Sequence, residues 1–331
     1  MKTLGLAFLS LTVLLPAWGQ QNPQEAEAAQ SRPQDSAPPS PGSPAETTSP
    51  QPEPRPSPDL TPDATGKLSP RQMRELFRVV AEKDLDNQKR QRNYTYIERE
   101  VENKLDGKGD TKSTEVKTYE ILEIYGEPTQ RLIEKDDKPL SEKEAAKEEE
   151  KIQKIIDKRK NESESERKKR AEKEEKDREE GRKFVREVAD AYNFTLIGSE
   201  AVGGRDAWVI HGEPRPGFEP QMKESKFLSK FRGQVWVDKN ELQLSKLDVE
   251  AIDTVSLGWV LARIHKGTRF MLEQTRVNDE VWLPGHVTFR FDARVALVKG
   301  FKLDGEQTFR DYKKFRTSAK IVGMSEVREQ K

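Results

Sequence analysis

The stretch "VTFRFDARVAL", residues 287 to 297, constrains the fold more than any other part of the chain. Val287, Phe289, Phe291, Ala293, Val295 and Leu297 alternate with Thr288, Arg290, Asp292 and Arg294, so one face is apolar and the other polar. A period of two over this length is that of a long, half-buried β-strand. The apolar face must meet a packed core or an apolar ligand.

Similar runs recur along the chain. "NYTYIEREVENKL" and "STEVKTYEILEIYG" are joined by "DGKGD", which holds the Gly and Asp of a hairpin turn, and "TQRLIEKDDKPL" follows Pro128. "FTLIGSEAV" and "RDAWVIHGEP" flank Gly203-Gly204, a pair free to take positive φ. "FRGQVWVD", "LQLSKLDVEAI", "WVLARIHKG", "RFMLEQTRV", "VWLPGHVTFRFDARVAL" and "GEQTFRDYKKF" complete the set. The apolar phase of "LQLSKLDVEAI" slips between Leu244 and Leu247, which predicts a bulge near Ser245 and a curved sheet. Two amphipathic helices are expected on this sheet. One starts at Ser69-Pro70 and carries Met73, Leu76, Phe77, Val80 and Leu85; the other carries Phe184, Val185, Val188, Ala189 and Tyr192 and should dock back onto the sheet.

Between residues 141 and 183 the composition changes. Acidic and basic residues alternate in nearly equal number, with pairs such as Glu164 and Lys168 or Glu172 and Lys176 at the i,i+4 spacing that supports an exposed helix. The expectation is a solvated helical arm that buries almost nothing. For a coiled coil only Ile152, Ile155 and Ile156 offer apolar positions, so pairing with a protein partner through this arm stays an alternative.

The ends are different again. Lys2, the apolar run "LGLAFLSLTVLL" and Ala17-Trp18-Gly19 have the three parts of a secretory signal, so residues 1–19 are expected to be removed and the mature chain to carry no transmembrane segment. Residues 20–68 are rich in Pro, Ser and Glu and hold almost no large apolar residues, as in a disordered tether. Residues 69–320 then form one domain with the charged insertion at 141–183, and 321–331 a flexible tail. The expected class is α+β: a curved antiparallel sheet, an incomplete barrel, with covering helices.

Charge and residue content narrow the function. With 59 basic and 59 acidic residues the chain lacks the basic excess of a nucleic-acid binder. There is no cysteine, and His211, His265 and His286 stand far apart with no HExxH pattern, so no metal site and no cofactor are expected. "TVSLG" around Ser256 lacks the first glycine of a nucleophile elbow, "VGGRD" has no helix after it to hold a phosphate, and Asp136-Asp137 reads as a solvated turn. No enzymatic activity is expected. Trp208, Trp236, Trp259 and Trp282 fall in strand segments, and Trp236 lies on the face opposite Phe231, Val235 and Val237.

"VGGRDAWVIHGEPRPG", "GQVWVDKNELQLSKLDVEA", "DEVWLPGHVTFRFDARV" and "FRDYKKF" resemble, in that order, segments of uncharacterised exported bacterial proteins related to the outer-membrane lipoprotein sorting proteins. The resemblance extends over residues 69 to 317 and is densest from 194. It implies an incomplete antiparallel barrel whose concave face is lidded by helices and takes up acyl chains, in the periplasm. The charged segment 141–183 departs from that pattern. Two functions follow as expectations: an exported binder of an acyl chain, lipid or lipoprotein, with Val287, Phe289, Phe291, Val295 and Trp236 as the ligand-binding face, or a scaffold acting through the charged arm and the Pro-rich tether.

Overall fold

The computed structural model describes residues 61, 63–64, 68–125, 127–257, 262–295 and 299–315. The signal, most of the tether, the C-terminal tail, Trp259 and Leu297 lie outside the described residues.

One helix precedes the first strand. Ser69 caps α1 (Pro70–Gln91) in a reciprocal box: its Oγ accepts from the Gln72 amide, and the Gln72 side chain accepts from the Ser69 amide at 2.9 Å. Met73, Leu76, Phe77 and Val80 form the buried stripe. The meander follows as β1 (Tyr94–Leu105), β2 (Thr111–Ile124), β3 (Glu127–Lys135) and the short β4 (Lys138–Pro139). The charged insertion forms α2 (Glu142–Lys160) and α3 (Glu164–Ala191). Then come β5 (Tyr192–Val202), β6 (Arg205–Pro214), a 3-10 turn (Glu224–Lys230), β7 (Phe231–Asp238) and β8 (Leu244–Ala251). The chain continues with β9 (Val255–Leu257), β10 (Ala262–Ile264), β11 (Arg269–Val277), β12 (Val281–Val295) and β13 (Lys299–Lys314).

All strand pairs are antiparallel, in the order β4-β3-β2-β1-β13-β12-β11-β8-β7-β6-β5, with β10 and β9 branching from the far end of β12. The first and last described strands thus meet inside the sheet, where β1 pairs with β13. Among the described residues β4 and β5 do not meet, so the sheet is open rather than a closed barrel. It is an α+β fold: one large antiparallel sheet with a few helices.

Turns and bulges sit where residue types permit them. Gly203 and Gly204 both have positive φ, as the tightest hairpin requires. The register of β7 and β8 shifts opposite Ser245, whose Oγ donates to the Trp236 carbonyl at 3.1 Å. Another shift, at Gly285, falls within β12 opposite β11.

The charged insertion departs from the expected solvated arm. Helix α2 ends at Asn161 and helical structure restarts after Ser163, which caps α3 with Glu166 in a reciprocal box like those at Ser69 and Ser141. The insertion is therefore two helices and not one rod. The side chain of Ile152 on α2 is buried at 1% exposure. Around it α2 meets β3: the Leu132 amide donates to Glu148 at 3.3 Å, and Lys151 Nζ donates to the Gln130 carbonyl at 3.3 Å. These are backbone groups that a further strand would pair, so α2 covers a sheet edge with side chains. The C-terminal part of α3 packs on two sides: Ala189 joins the cluster that α1 forms with Ile210 and Val237 of the sheet, as expected, and Phe184 and Ala191 pack against Leu228 of the 3-10 turn.

Candidate functional site

Cross-strand register assigns the faces. Val235, Leu247, Leu272, Val287, Gln307 and Glu100 stand in one row across β7, β8, β11, β12, β13 and β1. Cross-strand partners share a face, so Val287 lies on the side of the sheet that α1 covers. There α1 packs on Ile210 and Val237, with Val235 and Leu244 beside them. Helix α1 meets β12 at its start, where Asn87 holds the Trp282 backbone from both sides: its Nδ2 donates to the carbonyl at 2.8 Å and its Oδ1 accepts from the amide at 2.7 Å.

Farther along the same face is a separate apolar cluster. Val287, Phe289, Leu272 and Leu303 form its buried floor, and Phe270, Phe291, Phe301 and Phe309 pack on it as half-buried rings. The rings of Phe289 and Phe291 are 5.9 Å apart. The structure therefore brings together three of the residues singled out in the sequence, Val287, Phe289 and Phe291. For Val295 only the backbone is described, paired with Ala262 and Lys299 at the end of β12.

Trp236 is not part of this cluster. It alternates with Val235 along β7 and packs on the other face with Val202, Ala207 and Val209. Its Nε1 donates to Glu200 at 2.8 Å, and the Lys246 ammonium lies 4.9 Å from the ring centre. The expected ligand face thus divides, because side chains at successive strand positions point to opposite sides.

That other face carries an open groove of about 720 Å³ over β8, β11, β12, β13 and β1. Its wall includes Asp248, Arg269, Thr288, Arg290 and Asp304. Charges of both signs line it, and some pair with one another, Arg269 with Asp248 and Arg290 with Asp304.

Sequence reasoning missed the polar end of the apolar face. Glu98 is fully buried in β1, opposite Tyr119 and Phe309. Its carboxylate accepts from Gln307 Nε2 at 3.0 Å and from Gln130 Nε2 at 3.4 Å. Burial first, and Glu100 second, push the Glu98 carboxyl up to about 7. Burial also raises Glu100 and the phenols of Tyr96 and Tyr119. The signal was present in "YTYIERE", where Glu98 falls in phase with Tyr94 and Tyr96. Among the described residues no group of carboxylates and histidines could hold a metal ion.

No known family pattern matches the chain, nor does any curated protein. Solved structures do. A LolA superfamily protein from Nitrosomonas europaea is 8% identical, with 77% of this chain and 98% of that one covered at a TM-score of 0.26. A DUF1329 family protein from Desulfovibrio piger is 10% identical over 75% of this chain and 95% of its own, at 0.25. MucB, in its complex with MucA from Pseudomonas aeruginosa, gives 9%, 72%, 94% and 0.21 for the same quantities.

Proposed function

We propose that this is an exported, non-enzymatic protein that binds an acyl chain, or the acyl part of a lipid or lipoprotein, against the apolar end of its sheet. The observation that carries the reading is the cluster on β11, β12 and β13: a buried floor of Val287, Phe289, Leu272 and Leu303, rimmed by phenylalanines that stay half-buried. Aromatic rings grouped beside a buried floor give an apolar surface of the kind that suits an apolar guest. Each methylene taken from water contributes about 0.8 kcal/mol, so ten contribute about 8 kcal/mol before ordering costs. That corresponds to micromolar binding at best. Export is supported by the residues of the signal at 1–19 and by the absence of cysteine. Among the described residues no helix is long and apolar enough to cross a membrane.

The test is native mass spectrometry of the exported protein followed by lipid extraction. A copurified acyl compound, or uptake of an apolar fluorescent probe that Phe291→Arg abolishes, is the expected result. A ligand-free protein that ignores such probes would shift the function to a scaffold. The exposed charged surfaces of α2 and α3 support that second reading, since their ion pairs are mostly intrahelical and leave a mixed-charge face for a protein partner.

A further inference from the structure

The buried carboxyl on β1 has no role in acyl binding, and its surroundings suggest one of its own. Glu98 has no exposed surface, yet its two hydrogen-bond partners are neutral amides. Those amides come from β13 on one side and from β3, beyond β2, on the other, so one carboxyl ties four neighbouring strands together. The groups that face it supply little positive charge. From its own strand come Tyr96 and Glu100, with Glu102 farther on; from β2 Tyr119, with Lys117 and Glu115 beyond it; from β3 Gln130; from β13 Gln307; and Glu148 of α2 bears on Tyr119. Lys117 is 3.0 Å from Glu115. An ionised carboxylate buried among neutral donors and other carboxylates is costly, and it relieves the cost by taking up a proton or by reaching water.

We propose that Glu98 is a proton-operated tie: protonated, it fastens β1 to β3 and β13 through Gln130 and Gln307, and on losing its proton it draws water in and loosens that half of the sheet. In the protonated form the carbonyl oxygen accepts from one amide and the hydroxyl donates to the other, whose amide group turns its oxygen inward. The same row joins the tie to the apolar face, since Gln307 stands opposite Val287. A change at Glu98 therefore reaches the floor of the phenylalanine cluster through a single side chain. The inference holds whether or not that cluster takes a ligand.

The sign is fixed by the direction of the shift. A carboxyl raised from 4.5 to about 7 holds its proton more tightly in the folded state. Its contribution to stability is complete below the unfolded value and is lost as pH rises through the folded one. The folding equilibrium constant of the full chain should fall on the order of a hundredfold between about pH 4.5 and about pH 7.5 from this group. Urea melts of wild type and Glu98→Gln across that window should show the fall in wild type and its absence in the variant. A variant that keeps the wild-type slope would overturn the proposal. Should the variant fail to fold, hydrogen exchange of wild type decides instead. After the intrinsic base-catalysed rise is removed, amides of β1 and β13 should lose protection with pH while those of α1 keep theirs. Equal behaviour of the two regions would overturn it.

Discussion

Phe289 of β12 stands directly opposite Gly305 of β13, and its ring fills the space that a side chain at 305 would take. A Cβ added there would lie 2.5 Å from Phe289 Cζ and 2.4 Å from the Val101 carbonyl oxygen. The first contact could be relieved by a turn of the ring; the second is to backbone and could not. Gly305→Ala should therefore destabilise the protein by about 1 to 3 kcal/mol through overpacking. Urea denaturation checks this, with a lowered midpoint and an unchanged slope as the expected outcome.

Asn87 predicts a second loss. Its carboxamide pairs with both backbone groups of Trp282, at a point before β12 begins to pair with β13 at His286. The side chain does the work of a strand edge. Asn87→Ala leaves the Trp282 amide without that partner, while the carbonyl keeps a hydrogen bond from Gln91 Nε2 at 2.8 Å. A cost of about 1 to 3 kcal/mol is expected, that of an unsatisfied buried donor. Asn87→Asp keeps an acceptor for the Trp282 amide but sets a buried carboxylate against the Trp282 carbonyl, so it should cost no less. A thermal melt with wild-type stability in either variant would count against the clasp.

The charged insertion gives a third. Ile152→Ala should cost about 2 to 4 kcal/mol, since its side chain is buried between α2 and β3. Replacing residues 143–181 by a short Gly/Ser linker should do something different in kind. It uncovers the Gln130 carbonyl and the Leu132 amide on a strand edge, and free edges pair with other edges. Size-exclusion chromatography with light scattering should then show concentration-dependent association. A strictly monomeric deletion variant would mean that α2 protects nothing.

Much of this architecture was legible in the sequence because its determinants are local. Alternation placed the strands, Gly203-Gly204 and "DGKGD" placed turns, Ser69-Pro70 placed the start of α1, and the phase slip placed the bulge at Ser245. What could not be read were relations between distant segments. Charge alternation from 141 to 183 says that a helix is solvated on most sides, but the one apolar position that docks it, Ile152, looks the same in sequence whether docked or free. Glu98 was hidden for a related reason: a glutamate in an alternating strand is ordinarily solvated, and this one is buried where side chains of β13 and, beyond β2, of β3 reach it. For the candidate site, the phase of β12 grouped Val287, Phe289 and Phe291 correctly. Parity within β7 sets Trp236 against Val235 and Val237, but only the cross-strand register shows that Val235, and not Trp236, shares the face of Val287.

The two phenylalanines at the centre of the ligand reading should separate stability from binding. Phe289 is buried at 8% exposure and belongs to the floor, so Phe289→Ala should cost about 3 to 5 kcal/mol. Phe291 is only half-buried and belongs to the rim, so Phe291→Ala should cost clearly less. If an acyl chain lies across the rim, the order reverses for binding. Removing the Phe291 ring takes away a contact worth about 1 to 2 kcal/mol with the guest, a five- to thirtyfold weaker uptake of an apolar probe. Fluorescence titration of both variants, at a temperature where each is folded, measures this. A Phe291→Ala protein that is wild-type in both stability and uptake would place the guest elsewhere and leave the cluster as ordinary core.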